Sequence, residues 1–213
     1  MNREWVYGII DYMKRHMATC FFLTFFLILG IVCGALAIRT LPDGQVLELA
    51  DYLQVFFVSL QQQDGIIAGG EVFEAASFHH VKHIVLLWLL GFTMIGIPAI
   101  FFLIFTQGFI LGFSVGFLIH EYILRGVVFA LIGVLPQQLF LLPGGILMAL
   151  GAVSISMMLI RRCLSRGGAG DLKRDIGRYV LLLPCLILVT VVGTLIEVYV
   201  SPFLLKAIYT MMS

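Results

Sequence analysis

Hydrophobic positions run along this chain in long blocks separated by short polar stretches. Met17–Ile38 is 22 residues without a charge, Ile84–Ile119 is 36 and Val127–Ile160 is 34. Tyr179 to Val200 forms a last block with one acid, Glu197. A helix needs about 20 apolar residues to cross a bilayer. The first and last blocks therefore predict one span each, and the two middle blocks are too long for one. The only long polar segment is Arg39–His83. Within it Val46, Leu49, Leu53, Phe56, Phe57 and Leu60 share one helical face, which predicts an amphipathic helix over Gln45–Gln62. Asp64-Gly65 and Gly69-Gly70 are turn signals. Residues 1–16 place Trp5, Ile9, Tyr12, Met13 and His16 at helical spacing, as in a short helix lying in the membrane interface.

The middle blocks must contain breaks. In Ile84–Ile119 the turn is expected near Thr106-Gln107-Gly108, with Pro98 as a kink, since proline is tolerated in a membrane helix when neighbours satisfy the freed carbonyl. In the third block Pro136 and Pro143 stand seven residues apart, with Gln137 and Gln138 between them. Three crossings between residues 84 and 160 leave Val127–Leu142 over before a final crossing from about Gly144, which makes Val127–Gly145 the stretch to explain. Irregular backbone survives at membrane depth only when buried in protein or lining a wet cavity. The stretch is expected to be a re-entrant or proline-broken segment, with the two glutamines bonding its loosened backbone.

Composition makes the solvent explicit. The chain is 61% hydrophobic and only 12% charged, with a mean hydropathy of +1.08; a soluble domain is about 25% charged. The formal net charge of +1 argues against a nucleic-acid partner. Basic residues in short loops stay cytoplasmic. They number three in residues 1–16, two in 39–83 and six in 161–178, which puts the N-terminus and the 161–178 loop inside and the acidic 39–83 segment outside. The expected fold is thus an all-α polytopic membrane protein of about five spans, one membrane domain over residues 1–213. Met17–Ile38 exceeds the roughly 7–15 residues of a cleavable signal and reads as an uncleaved anchor. Cys20, Cys33, Cys163 and Cys185 include no CxxC pair, so neither a disulfide nor a zinc site is indicated. No cofactor is expected.

Few motifs carry chemistry. Gly112-Phe-Ser114-Val-Gly116 matches the G-x-S-x-G of a serine hydrolase elbow, but that elbow needs a strand-to-helix turn. Gly108, Gly112 and Gly116 instead repeat every fourth residue, a helix-packing stripe; Gly30 and Gly34 form a GxxxG of their own. His120-Glu121 opens like a zincin and lacks the second histidine, with Leu124 in its place. His79 and His83 share a helical face near Glu71 and Glu74, a spacing open to metal binding or pH sensing. Glu197 is interfacial, or functional if deeper, with Arg125 as a candidate partner.

Five spans with the N-terminus inside, a polar outer segment after span one, the Pro136-Gln137 to Pro143 loop and the closing Glu197-x-Tyr199-x-Ser201-Pro202 resemble the stage II sporulation protein M family. The wider superfamily tends to carry a histidine and an acid in the proline loop, where this chain has Gln137 and Leu141. The resemblance implies a non-enzymatic subunit of the engulfment machinery, in the mother-cell membrane at the sporulation septum. It would recruit a peptidoglycan amidase/endopeptidase and a lytic transglycosylase, with self-association open. Glu48, Asp51 and Tyr52, on the polar face of the outer helix, are the candidate partner contacts. A transporter or channel built on the 127–145 segment is the alternative.

Overall fold

The computed structural model describes residues 16–42, 44–52, 67–93, 95–164 and 172–200. All secondary structure among these residues is helical: α1 (Met17–Ala37), a 3₁₀ turn (Ile38–Thr40), α2 (44–52), α3 (Ile67–Gly91), α4 (Gly96–Gly133), α5 (Leu135–Leu164), α6 (Leu172–Leu195) and a π-turn (Ile196–Val200). The chain is an all-α polytopic membrane protein. Four helices among the described residues are long and apolar enough to cross a bilayer, over Met17–Thr40, Gly96–Glu121, Leu135–Ile160 and Tyr179–Tyr199.

Contacts fix the direction of each helix. Leu27, Ile31 and Ala35 of α1 lie against Gly108, Gly112 and Gly116 of α4, so these two run parallel. Gln107 of α4 faces Gly145 of α5. Leu141 of α5 meets Gly193 of α6, while Gly151 meets Tyr179, so that pair is antiparallel. His80 of α3 bonds Glu197 and the Trp88 carbonyl accepts from Tyr179, which makes α3 antiparallel to α6. Five long helices therefore traverse the bundle with alternating direction. The fifth, α3, is long enough to span but less apolar than the other four, because His79, His80, Lys82 and His83 lie on it. A helix with that many polar groups is kept in the bundle by its partners.

One core takes residues from all five: Leu23 and Leu27, Ile84 and Leu87, Ile100 and Ile104, Met148 and Val153, Tyr179 and Leu186. α5 is the most buried helix. Phe21, Phe22, Phe25 and Ile28 of α1 and Leu181 and Leu188 of α6 face outward, as lipid contact requires. At one end, Val46, Leu49 and Ala50 of α2 close over Ile38, Phe113 and Phe117. This α2 end is the reference used below.

Two expected breaks move. The turn between α3 and α4 lies between Gly91 and Gly96, not at Thr106–Gly108. Thr93 Oγ1 donates to the Leu90 carbonyl (2.8 Å) and the Thr93 carbonyl accepts from Ser156 Oγ (2.8 Å). Pro98 falls in the first turn of α4, where a helix has no use for the N–H that proline lacks. Thr106 stays helical, donating to the Phe102 carbonyl (2.9 Å).

The proline-rich stretch is likewise not irregular. It is helical on both sides of Val134. The Val134 N–H bonds the Ala130 carbonyl (3.0 Å) and the Val134 carbonyl accepts from the Gln138 N–H (3.4 Å). Pro136 takes the first turn of α5 and Pro143 lies inside that helix. The fold-back sits upstream instead. Gly126 lies against Leu118 and Ile119 of its own helix, which a straight helix would leave about 10–12 Å behind. The polar stretch His120–Arg125 occupies this bend, and only glycine lets the two turns come so close.

Of the Gln45–Gln62 helix, residues 45–52 are seen. Leu53, Phe56, Phe57, Leu60, the interfacial helix of residues 1–15, Ser201 and Pro202 lie outside the described residues.

Candidate functional site

The glycines of α1 and α4 set up a backbone-on-backbone contact. A Cβ on Gly112 would come within 2.7 Å of the Ile31 Cα, one on Gly116 within 3.0 Å of the Ala35 Cα, and one on Gly34 within 2.8 Å of the Phe113 nitrogen. Ser114, between them, donates to the Ile110 carbonyl of its own helix (2.9 Å). Residues 112–116 are helical throughout, so the strand-to-helix turn of a hydrolase elbow is not formed around Ser114.

Polar chemistry gathers elsewhere, toward the α2 end among α3, α4, α5 and the π-turn. His80 Nε2 and Glu197 Oε2 are 2.8 Å apart, with exposures of 23% and 29%. This pair joins the middle of α3 to the π-turn after α6, and Phe73 and Tyr199 add a ring contact across the same junction (6.3 Å). Glu197 thus has a partner on α3, whereas the sequence pointed to Arg125. π-turns occur frequently at functional sites, and this one carries Glu197 and Tyr199. One turn further along α3, the His83 ring lies within hydrogen-bonding reach of the Gln107 side chain.

Five side-chain atoms of the described residues are buried without a hydrogen-bond partner: Ser77 Oγ, His83 Nε2, Trp88 Nε1, Gln137 Oε1 and Gln138 Oε1. The glutamine carbonyls therefore do not brace the proline corner as expected. Each such group costs about 1–3 kcal/mol. Pro136 and Pro143 shape the helix that carries both glutamines. Nothing in the sequence pairs residue 80 with residue 197.

His79 is exposed, and no group of three His, Cys, Asp or Glu among the described residues is arranged to hold a metal ion. Glu48, Asp51 and Tyr52 lie exposed on α2, Tyr52 at 77%.

The family model for Stage II sporulation protein M matches residues 22–202. The chain belongs to the stage II sporulation protein M family. The match takes in the glycine contact, the polar cluster and the Glu197–Pro202 stretch. Membership in this family marks the chain as a sporulation membrane protein. No curated relative and no solved structure matches the chain.

Proposed function

We propose that this chain is a non-enzymatic membrane scaffold that recruits and positions a peptidoglycan amidase/endopeptidase and a lytic transglycosylase at the sporulation septum during engulfment. Family membership carries this reading. The surface that suits it is α2, whose apolar side is anchored on the 3₁₀ turn after α1 and on α4 while Glu48, Asp51 and Tyr52 remain exposed for a partner. Tyr52 is the aromatic anchor and the two acids form its charged rim. On this reading the α2 end faces the wall, and the N-terminus and the 161–178 loop are cytoplasmic. The protein is multi-pass in the mother-cell membrane and self-association is compatible with the role.

The test is co-immunoprecipitation of the two hydrolases with the full chain. Two exposed charge contacts at about 0.2–1 kcal/mol each predict a loss of about 2- to 30-fold on Glu48→Lys with Asp51→Lys. Tyr52→Ala should cost at least as much. Undiminished retention by both variants, at normal membrane levels, refutes α2 as the docking surface.

A second reading, passage of a small solute or ion, draws on the buried polar groups near Glu197. It predicts that Gln138→Leu abolishes function without releasing the hydrolases.

A further inference from the structure

The outward face of α3 carries a charge at a depth where lipid offers it nothing. The His83 ring reaches the Gln107 side chain, and Gln107 meets Gly145. Gln107 lies near the middle of the Gly96–Glu121 span and Gly145 near the middle of Leu135–Ile160. His83 therefore sits near the bilayer midplane, and Lys82 is its neighbour in the helix. His83 is half-buried, whereas Lys82 is exposed. Phe78 and Leu86 lie one turn to either side of it on the same face, with Leu89 beyond, all exposed. The lysine thus interrupts a lipid-facing stripe. The nearer edge of the hydrocarbon is about 15 Å away, half of a core about 30 Å thick. A four-carbon stem does not bridge that distance, so the ammonium cannot snorkel to the headgroups. This chain supplies no counter-charge at that level. Among the described residues no acid lies within ion-pairing distance of Lys82. Glu74 shares its face but stands eight residues toward the α2 end, about 12 Å away. The three uncharged blocks contain no acid, and Glu197, the one acid of the fourth, is taken by His80.

We propose that the exposed face of α3 around Lys82 is an intramembrane docking surface for a transmembrane helix of another protein, one that carries an aspartate or glutamate near the bilayer midplane. A charge at this depth is kept in a membrane protein by pairing. A carboxylate both accepts the lysine's hydrogen bonds and neutralises it. Phe78, Leu86 and Leu89 supply apolar packing around the pair, and His79, exposed one turn from Lys82, is a second hydrogen-bonding group on the same side. A second copy of this chain does not fit. Copies in one bilayer share an orientation, so an isologous contact through this face would set Lys82 against Lys82 at the same depth. The uncharged blocks of a copy bring no acid to that depth either. The surface is separate from α2, and the proposal holds whether or not the chain is a scaffold.

The probe is a synthetic leucine/alanine transmembrane helix with one central aspartate, beside the same helix with leucine at that position. Central placement gives the same depth whichever way the peptide inserts. The full chain with a donor dye and the peptide with an acceptor are reconstituted together in phosphatidylcholine vesicles, and energy transfer is followed against peptide density. The aspartate helix should associate about 3- to 30-fold more tightly than the leucine helix, the range of polar contacts between helices in bilayers. Lys82→Met, an exposed change that leaves the core untouched, should remove this preference. A helix with a central lysine should be preferred in its turn by Lys82→Glu. Equal association of the aspartate and leucine helices with the parent chain, or a preference that survives Lys82→Met, would overturn the proposal. So would self-association of the chain that falls with Lys82→Met, which assigns the face to a second copy. A preference abolished by phosphatidylglycerol in the parent chain would assign the lysine to a lipid headgroup and overturn it too. Neither hydrolase is present, so the outcome is independent of docking at α2.

Discussion

Replacing Gly112 by leucine tests whether the α1–α4 contact holds this bundle together. Even the first added carbon falls 2.7 Å from the Ile31 Cα, about 0.7 Å short of the 3.4 Å at which ordinary contact begins. The obstacle is the Ile31 backbone, so trimming its side chain makes no room, and the helices must part. In lipid no hydrophobic force pulls helices together, and close packing is what associates them. Overpacking costs about 1–3 kcal/mol, and leucine belongs at the upper end. Leaving glycine returns up to about 1 kcal/mol of helix propensity, for a net loss of about 2 kcal/mol. For a chain of this size that is a fall of about 4–8 °C in melting midpoint. The assay is the midpoint measured by fluorescence size-exclusion chromatography in detergent. Gly177→Leu is the control, because Gly177 sits exposed on α6 with nothing within 4 Å. Ser114→Ala, which removes only a bond to its own helix, should stay within about 0.5 kcal/mol of the parent. A midpoint for Gly112→Leu at or above that of Gly177→Leu would refute the reasoning, as would rescue by Ile31→Ala.

Two further outcomes follow from the same contacts. In a double-mutant cycle, His80→Ala and Glu197→Ala should couple by about 1.5–3 kcal/mol, the worth of a bond to a charged group. Glu197→Gln, which keeps an acceptor, should be milder, and simple additivity would mean that the pair does not tie α3 to α6. Cysteine reporters at Asp64 and Gly168 should label from opposite sides of the membrane, following the basic count of two against six; labelling of both from one side would exclude five crossings.

What the sequence determined by itself is what depends on composition and period. Long uncharged blocks can only be helices in lipid, because no other single segment satisfies its own backbone there. The four-residue repeat of Gly108, Gly112 and Gly116 marks one helix face whatever that face touches. Period likewise put Val46 and Leu49 on the buried side of α2 and left Glu48 and Asp51 outside. Breaks were less legible. Proline suggests a discontinuity, yet its cost depends on whether the missing N–H was needed, and Pro98 and Pro136 each landed in a first turn where it was not. The fold-back near Gly126 had no proline to announce it. Partners at long range were not legible at all. Glu197 bonds His80 across 117 positions, and Gln107 meets both His83 and Gly145, because α3, α4, α5 and the end of α6 converge at the α2 end. A side chain's period gives the direction in which it leaves its helix. Only the packing of one helix on another decides what it finds there.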